Sequence, residues 1–229
     1  MEEKSQQVLD HLRSLENPTN RQGMKRFGIN TDHALGISMK TLREVSRQYK
    51  KDHELALALW ESGLHEARLL AVLIDDPRQL DEEQMEKWVA GIRSWDLCDQ
   101  ACNNLFDKWP GAYHKAREWA QRDEEFIKRA GFVLMAALSV HDKKAGDDQF
   151  IDFFDDIQRE ADDPRNFVKK AVNWALRAMG KRNKPLNEQA LQVARKLAGS
   201  QDKTPRWVGR HALRELESDK VLGRLQSKK

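Results

Sequence analysis

Apolar side chains recur every three to four residues along almost the whole chain, and no segment alternates with a period of two. Leu12 and Leu15, then Leu55, Leu59 and Trp60, then Leu69, Leu70, Leu73 and Ile74 show this spacing. It gathers them on one side of an α-helix. The pattern predicts a helix over about 4–15 and further ones around Leu55–Trp60 and Leu69–Ile74. It continues over roughly 82–93, 95–108, 111–121, 124–140, 147–162, 165–181, 187–199 and 205–217. The breaks fall at Asn17-Pro18, Asp75-Asp76-Pro77, Trp109-Pro110-Gly111, Gly146-Asp147-Asp148, Asp162-Asp163-Pro164 and Lys203-Thr204-Pro205. Those residue types end helices. The expected fold class is all-α.

A repeat runs through the second half. Phe126-Ile127-Lys128-Arg129-Ala130, Phe167-Val168-Lys169-Lys170-Ala171 and Trp207-Val208-Gly209-Arg210 superpose at offsets of 41 and 40 residues. A period near 40 with two helices per unit has the size of a HEAT or armadillo repeat. Such pairs stack into a curved superhelix whose second helices line a concave groove. The reading is one HEAT-like repeat solenoid over residues 1–229. Arg129, Lys170 and Arg210 share a position in the three copies and would form a basic ladder along the groove. Three similar amphipathic helices with cations lying over apolar stems would look the same.

Charge is distributed unevenly. The net charge is +3, but from Arg165 onward there are 17 basic residues against 5 acidic ones, a net of +12, and the preceding residues carry −9. A one-sided excess of this size attracts a polyanion, nucleic acid first among them. Two cysteines exclude a disulfide framework, and no Cys/His cluster has zinc spacing. The 12 glycines never form a phosphate-binding loop. No stretch approaches the roughly 18 apolar residues of a membrane span, and the opening MEEKSQQVLDHLRSLE is charged and helical. A soluble cytoplasmic protein without cofactor or metal is expected.

The segment Ser94-Trp95-Asp96-Leu97-Cys98-Asp99-Gln100-Ala101-Cys102 bears most on chemistry. On a helix, Trp95, Asp99 and Cys102 share one face. Ser94 suits an N-cap, and Asp96 suits the first turn by its charge. Asp99, beside an aromatic, calls for a cationic partner, with Arg129 the candidate. An ionised carboxylate against an aromatic face suits a developing positive centre such as a sugar oxocarbenium ion. The same spacing equally fits an inter-helix ion pair beneath a packed indole. Cys98 and Cys102 read as core. Trp60, Trp88 and Trp119 also read as core. Trp174 stands four residues after Lys170 on the most basic helix, a groove position. Phe27 follows Lys25-Arg26 near a loop and could reach the groove rim. The histidines, His65 and His141 among them, belong to no nucleophile motif, and His141-Asp142-Lys143 reads as a helix end.

In their order and spacing, Trp95-Asp96-Leu97-Cys98-Asp99, Phe126-Ile127-Lys128-Arg129-Ala130 and the segment Phe167–Arg177 resemble the AlkD-type DNA alkylation repair proteins, glycosylases built of HEAT-like repeats. The resemblance runs from about Met24 to about Arg182. It implies excision of positively charged N3- or N7-alkylated purines from double-stranded DNA, in base excision repair, without a metal; a solenoid with one groove can do so as a monomer. It also implies that Asp99 is the catalytic carboxylate and that Trp95 and Trp174 contact the deoxyribose at the lesion. Arg129 would grip the backbone phosphate nearby. Phe27, Lys169, Lys170, Arg177 and Arg210 are the expected DNA-binding residues. Phe27 stands where the family can place a tyrosine, so an aromatic is kept and a hydroxyl is not. The family acts without burying the base in a pocket.

Two other readings stand beside this one. A non-catalytic HEAT-like module binding distorted or branched DNA would share the fold. A protein-binding solenoid would leave the basic ladder unexplained.

Overall fold

Proline opens helices in this chain more often than it ends them. Asn17-Pro18 separates two helices: α1 (Glu2–Ser14) has already stopped, and α2 (Pro18–Met24) begins at the proline itself. Asn17 Oδ1 accepts the amide of Asn20 at 2.9 Å. In a first turn the missing proline N–H costs nothing. Asn183 likewise caps the amide of Leu186 at 3.0 Å. With Pro185 in its first turn, that helix starts at Lys184, three residues before the expected 187. The helix expected from 205 starts at Lys203 for the same reason.

The structure is a computed structural model and describes residues 2–227. Among the described residues there are fourteen α-helices and no strand. After α2 come α3 (Met39–Ser46), α4 (His53–Glu61), α5 (His65–Ile74), α6 (Glu82–Gly91) and α7 (Trp95–Asn104). They are followed by α8 (Ala112–Ala120), α9 (Glu125–His141), α10 (Asp148–Arg159) and α11 (Asn166–Gly180). The series ends with α12 (Lys184–Ala198), α13 (Lys203–Leu216) and α14 (Asp219–Ser227). Single 3₁₀ turns occupy Lys25–Phe27 and Phe106–Lys108. Helices α2, α3 and α14 were not expected from the periodicity, because each shows only about two turns of pattern.

The chain divides into two compact units, Met1–Trp109 and Pro110–Lys229. In the first, α4 pairs with α5, and α3 and α7 both lie on α5. Trp60 of α4 stacks flat on Trp88 of α6, with centroids 4.2 Å apart and planes 2° from parallel. Both indoles are buried, as expected. Glu66 is fully buried and accepts the amides of Leu35 at 2.8 Å and Gly36 at 2.7 Å, so the loop before α3 is pinned to α5.

In the second unit α8 pairs with α9, α10 with α11 and α12 with α13. The second helices α9, α11 and α13 stack in sequence. Residues Ile127 to Ser139 of α9 are buried without interruption, because helices cover α9 on more than one side. Phe126 and Phe167 touch at the starts of α9 and α11, 5.6 Å between centroids. Trp119 is fully buried.

One turn is built twice. Asp76 accepts the amide of Arg78 at 3.2 Å and binds its guanidinium at 2.6 Å. Asp163 does the same for Arg165, at 2.9 and 2.5 Å. Both follow the sequence Asp-Asp-Pro-Arg, and the arginine holds Asp76 down to about 2.

Candidate nucleic-acid interface and catalytic residues

Helix α7 carries the chemistry-bearing segment of the first unit. Ser94 is its N-cap residue and extended, but its side chain makes no capping hydrogen bond. The expectation for Asp96 is also modified. Its Oδ2 lies 2.8 Å from Nε2 of His65, so it serves an inter-helix pair in addition to any favour from the helix dipole. Burial pulls the His65 imidazolium down, but the hydrogen bond and charge of Asp96 outweigh it and raise His65 above its ordinary 6.5. Burial likewise pushes Asp96 up, and the His65 bond overcomes this and lowers it. His65 is fixed in turn, since its amide donates to the carbonyl of His33 at 2.8 Å.

The pair clamps the start of α7, where Trp95 and Asp99 lie one turn apart on the same face. The Trp95 indole N–H donates to the carbonyl of Phe27 at 3.0 Å. That bond fixes the ring plane and ties it to the 3₁₀ turn that Gly28 ends with a φ of 75°. Phe27 itself is 67% exposed. Phe27, Trp95 and Asp99 are thus brought together in one unit, with Asp99 half-buried. Cys98 and Cys102 are fully buried. Burial, Cys98 and the Asp99 charge push the Cys102 thiol well up, so it stays protonated and unreactive.

In the second unit the three ladder positions differ. Arg129 is only 5% exposed, and its guanidinium donates to the carbonyl of Phe167 at 2.6 Å, across α9 and α11. Lys170 and Arg210 are exposed. Trp174 and Arg177 follow Lys170 along α11 at one-turn intervals or less, both half-buried. Arg177 is ion-paired with Glu215, which also binds Lys181. Lys169 lies over the Trp207 ring at 4.9 Å, and the His211 ring lies against the same indole, tilted by 33° with centroids 4.2 Å apart. Burial lowers His211, and the nearby cations Arg214, Arg177 and Lys169 lower it further, a local reading of positive potential.

Sequence reasoning missed His65, Glu215 and the Trp207–His211 pair. No local spacing encodes the His65–Asp96 bond, which joins residues 31 apart on different helices. Trp207 did carry a signal, because it opens the third repeat copy. No group of three or more His, Cys, Asp or Glu side chains that could hold a metal exists among the described residues. No described helix is long and apolar enough to cross a membrane.

Paired helices with stacked second members define the HEAT-like repeat class. A solved structure of "a new family of proteins related to the HEAT-like repeat DNA glycosylases with affinity for branched DNA structures" shares this fold, with a TM-score of 0.72 at 21% identity over 83% of this chain and 82% of that one. The family of DNA alkylation repair enzymes matches residues 8–216, and the chain belongs to it. Two curated relatives are similar over 132 residues, 56% of this chain: uncharacterized protein Lmo0209 of Listeria monocytogenes, 28% identical, and uncharacterized protein Lin0241 of Listeria innocua, 27% identical. The match spans 59% of the length of each.

Proposed function

We propose that this protein is a DNA glycosylase that releases positively charged N3- and N7-alkylated purines from duplex DNA. The observation that carries the proposal is the clamped face of α7. It holds a half-buried carboxylate one turn from an indole whose plane is fixed by the Phe27 carbonyl. Family membership supports the same reading.

A cationic alkylpurine already attracts the electrons of its glycosidic bond. The bond breaks with its electron pair passing to the base, which leaves neutral, so no acid is needed to protonate it. Positive charge then develops on the sugar. Asp99 stabilises it by charge, and Trp95 by its aromatic face. Water adds to the anomeric carbon, and its proton passes to Asp99 or to solvent. Arg129, Phe27, Lys169, Lys170, Arg177 and Arg210 hold the strand. Phosphate contacts position a duplex without reading its sequence.

Base release from methylated duplex tests this. Asp99→Asn should slow release of 7-methylguanine at least about 100-fold, the order lost with one transition-state charge contact, while duplex affinity changes little. Arg129→Ala should weaken lesion binding and slow excision together. Wild-type protein inert on 7- and 3-alkylpurines would leave the second reading. That reading is a non-catalytic module for distorted or branched DNA, favoured by the affinity attributed to the structural relative.

A further inference from the structure

Trp174 lines an open cavity of about 500 Å³ that the reaction above does not use, and all of its lining residues belong to the second unit. That volume lies in the range of sites for ligands of nucleotide size. On its apolar side Trp174 is joined by Val140. Val140 is 46% exposed, although the thirteen residues before it on α9 are all buried. An apolar side chain left open against an indole suits a flat apolar occupant.

On its polar side the cavity sits where α9 and α11 end. Helix C-termini carry partial negative charge and would repel an anion. Arg182 offsets this: it donates to the carbonyls of Ser139 at 2.9 Å and Ala145 at 2.7 Å, with its guanidinium 4.6 Å from the Phe150 ring centre. Two further cations, Lys143 and Arg224, line the cavity and form no ion pair with a described residue. Arg224 makes only a long contact, 3.4 Å, to the carbonyl of Lys181. Asn183 donates to Asp147 at 2.7 Å, which sets an amide and a carboxylate at one edge. Indole, apolar wall, hydrogen-bonding edge and unpaired cations are the groups that hold an unstacked base and its phosphate.

We propose that this cavity takes one unpaired nucleotide of DNA, its base against Trp174 and Val140 and its phosphate against Lys143 and Arg224. The inference rests on the reading above only in taking DNA as the partner.

The test is fluorescence-anisotropy binding to a perfect duplex and to the same duplex with a single-nucleotide bulge. Wild-type protein should bind the bulged duplex about 10-fold more tightly. Val140→Asp, at an exposed position, and the double variant Lys143→Ala/Arg224→Ala should each bring the two affinities within twofold. Affinity for perfect duplex and base release from methylated duplex should persist in both. Equal wild-type affinities, or a preference surviving in both variants, would overturn the proposal. So would an equal loss on both duplexes in the double variant, which would make the two cations general backbone contacts. A wild-type bulge preference lost in the variants, in a protein that releases no base, would sink the glycosylase reading and leave this one standing.

Discussion

His65 shows how much a site can depend on a residue that touches no substrate. Its bond to Asp96 holds the first turn of α7, the turn that also presents Trp95. Asp96 Oδ1 is buried without a hydrogen-bond partner, and the His65 imidazole leads the groups, the Ser94 hydroxyl and the Leu97 amide among them, that favour the carboxylate. His65→Ala should therefore cost about 1–3 kcal/mol of stability, the penalty of stranding a buried polar group. It should also slow base release. The pH dependence follows from the two shifts. His65 is raised above 6.5, so its contribution is complete below pH 6.5 and is lost as pH rises through its folded value. Asp96 is lowered below 3.8, so its contribution is present above pH 3.8 and is lost only as pH falls through its folded value. The gap between the denaturation midpoints of wild type and His65→Ala should be widest between about pH 4 and 6.5 and should narrow on the alkaline side, where the neutral imidazole still donates to Asp96 but its charge is lost. A gap constant from pH 5 to pH 10 would remove the imidazolium from the account. Trp95 and Asp99 could be read together in the sequence because one turn of helix separates them. His65 could not, because its partner lies on another helix and only the packed fold makes them neighbours.

Elements in the second unit meet at unusually short range in two places. A Cβ on Gly131 would lie 2.4 Å from the backbone nitrogen of Ala120, and one on Gly209 would lie 2.3 Å from that of Ala198. These glycines let α9 cross α8, and α13 cross α12, at backbone contact. Gly223 on α14 has nothing within 4 Å. The same kind of substitution should thus have opposite signs. Gly209→Val should destabilise by about 1–3 kcal/mol or more through overpacking, and Gly223→Ala should stabilise by up to about 1 kcal/mol through helix propensity. Thermal melting of the two variants checks this, and a harmless Gly209→Val would mean that the helices can slide apart. The existence of most helices was readable because burial on one face writes a 3.6-residue period into the sequence. Their starts were less so. Pro18, Pro185 and Pro205 look like breaks, yet each lies in a first turn. The two Asp-Asp-Pro-Arg turns look like loops, yet an aspartate and an arginine two residues on lock each one.

Over the whole molecule, the net +12 from Arg165 onward is only partly neutralised inside the fold. Glu215 takes up Arg177 and Lys181, and Glu217 takes up Arg195. Lys170, Arg210 and Arg214 remain exposed, with no ion pair to a described residue, and Lys169 is held on the Trp207 face. Like charges gathered in this way repel one another, which costs stability unless a polyanion or its counterions sit among them. Bound DNA would release its condensed counterions to the solution as these side chains take their place. If three to four phosphates are neutralised, the logarithm of affinity should fall with the logarithm of salt at a slope of about −2.7 to −3.6. Between 50 and 200 mM salt that amounts to roughly a 40- to 150-fold loss. Lys170→Ala/Arg210→Ala should flatten the slope by about two contacts, because each exposed cation answers for one phosphate. Anisotropy titrations on undamaged duplex across a salt series measure both slopes. A wild-type slope shallower than about −1 would mean that this charge does not face the nucleic acid. An unchanged slope in the double variant would place the contacts on cations other than Lys170 and Arg210. A steep slope lost in the variant ties the charge asymmetry of the sequence to its two most exposed repeat positions.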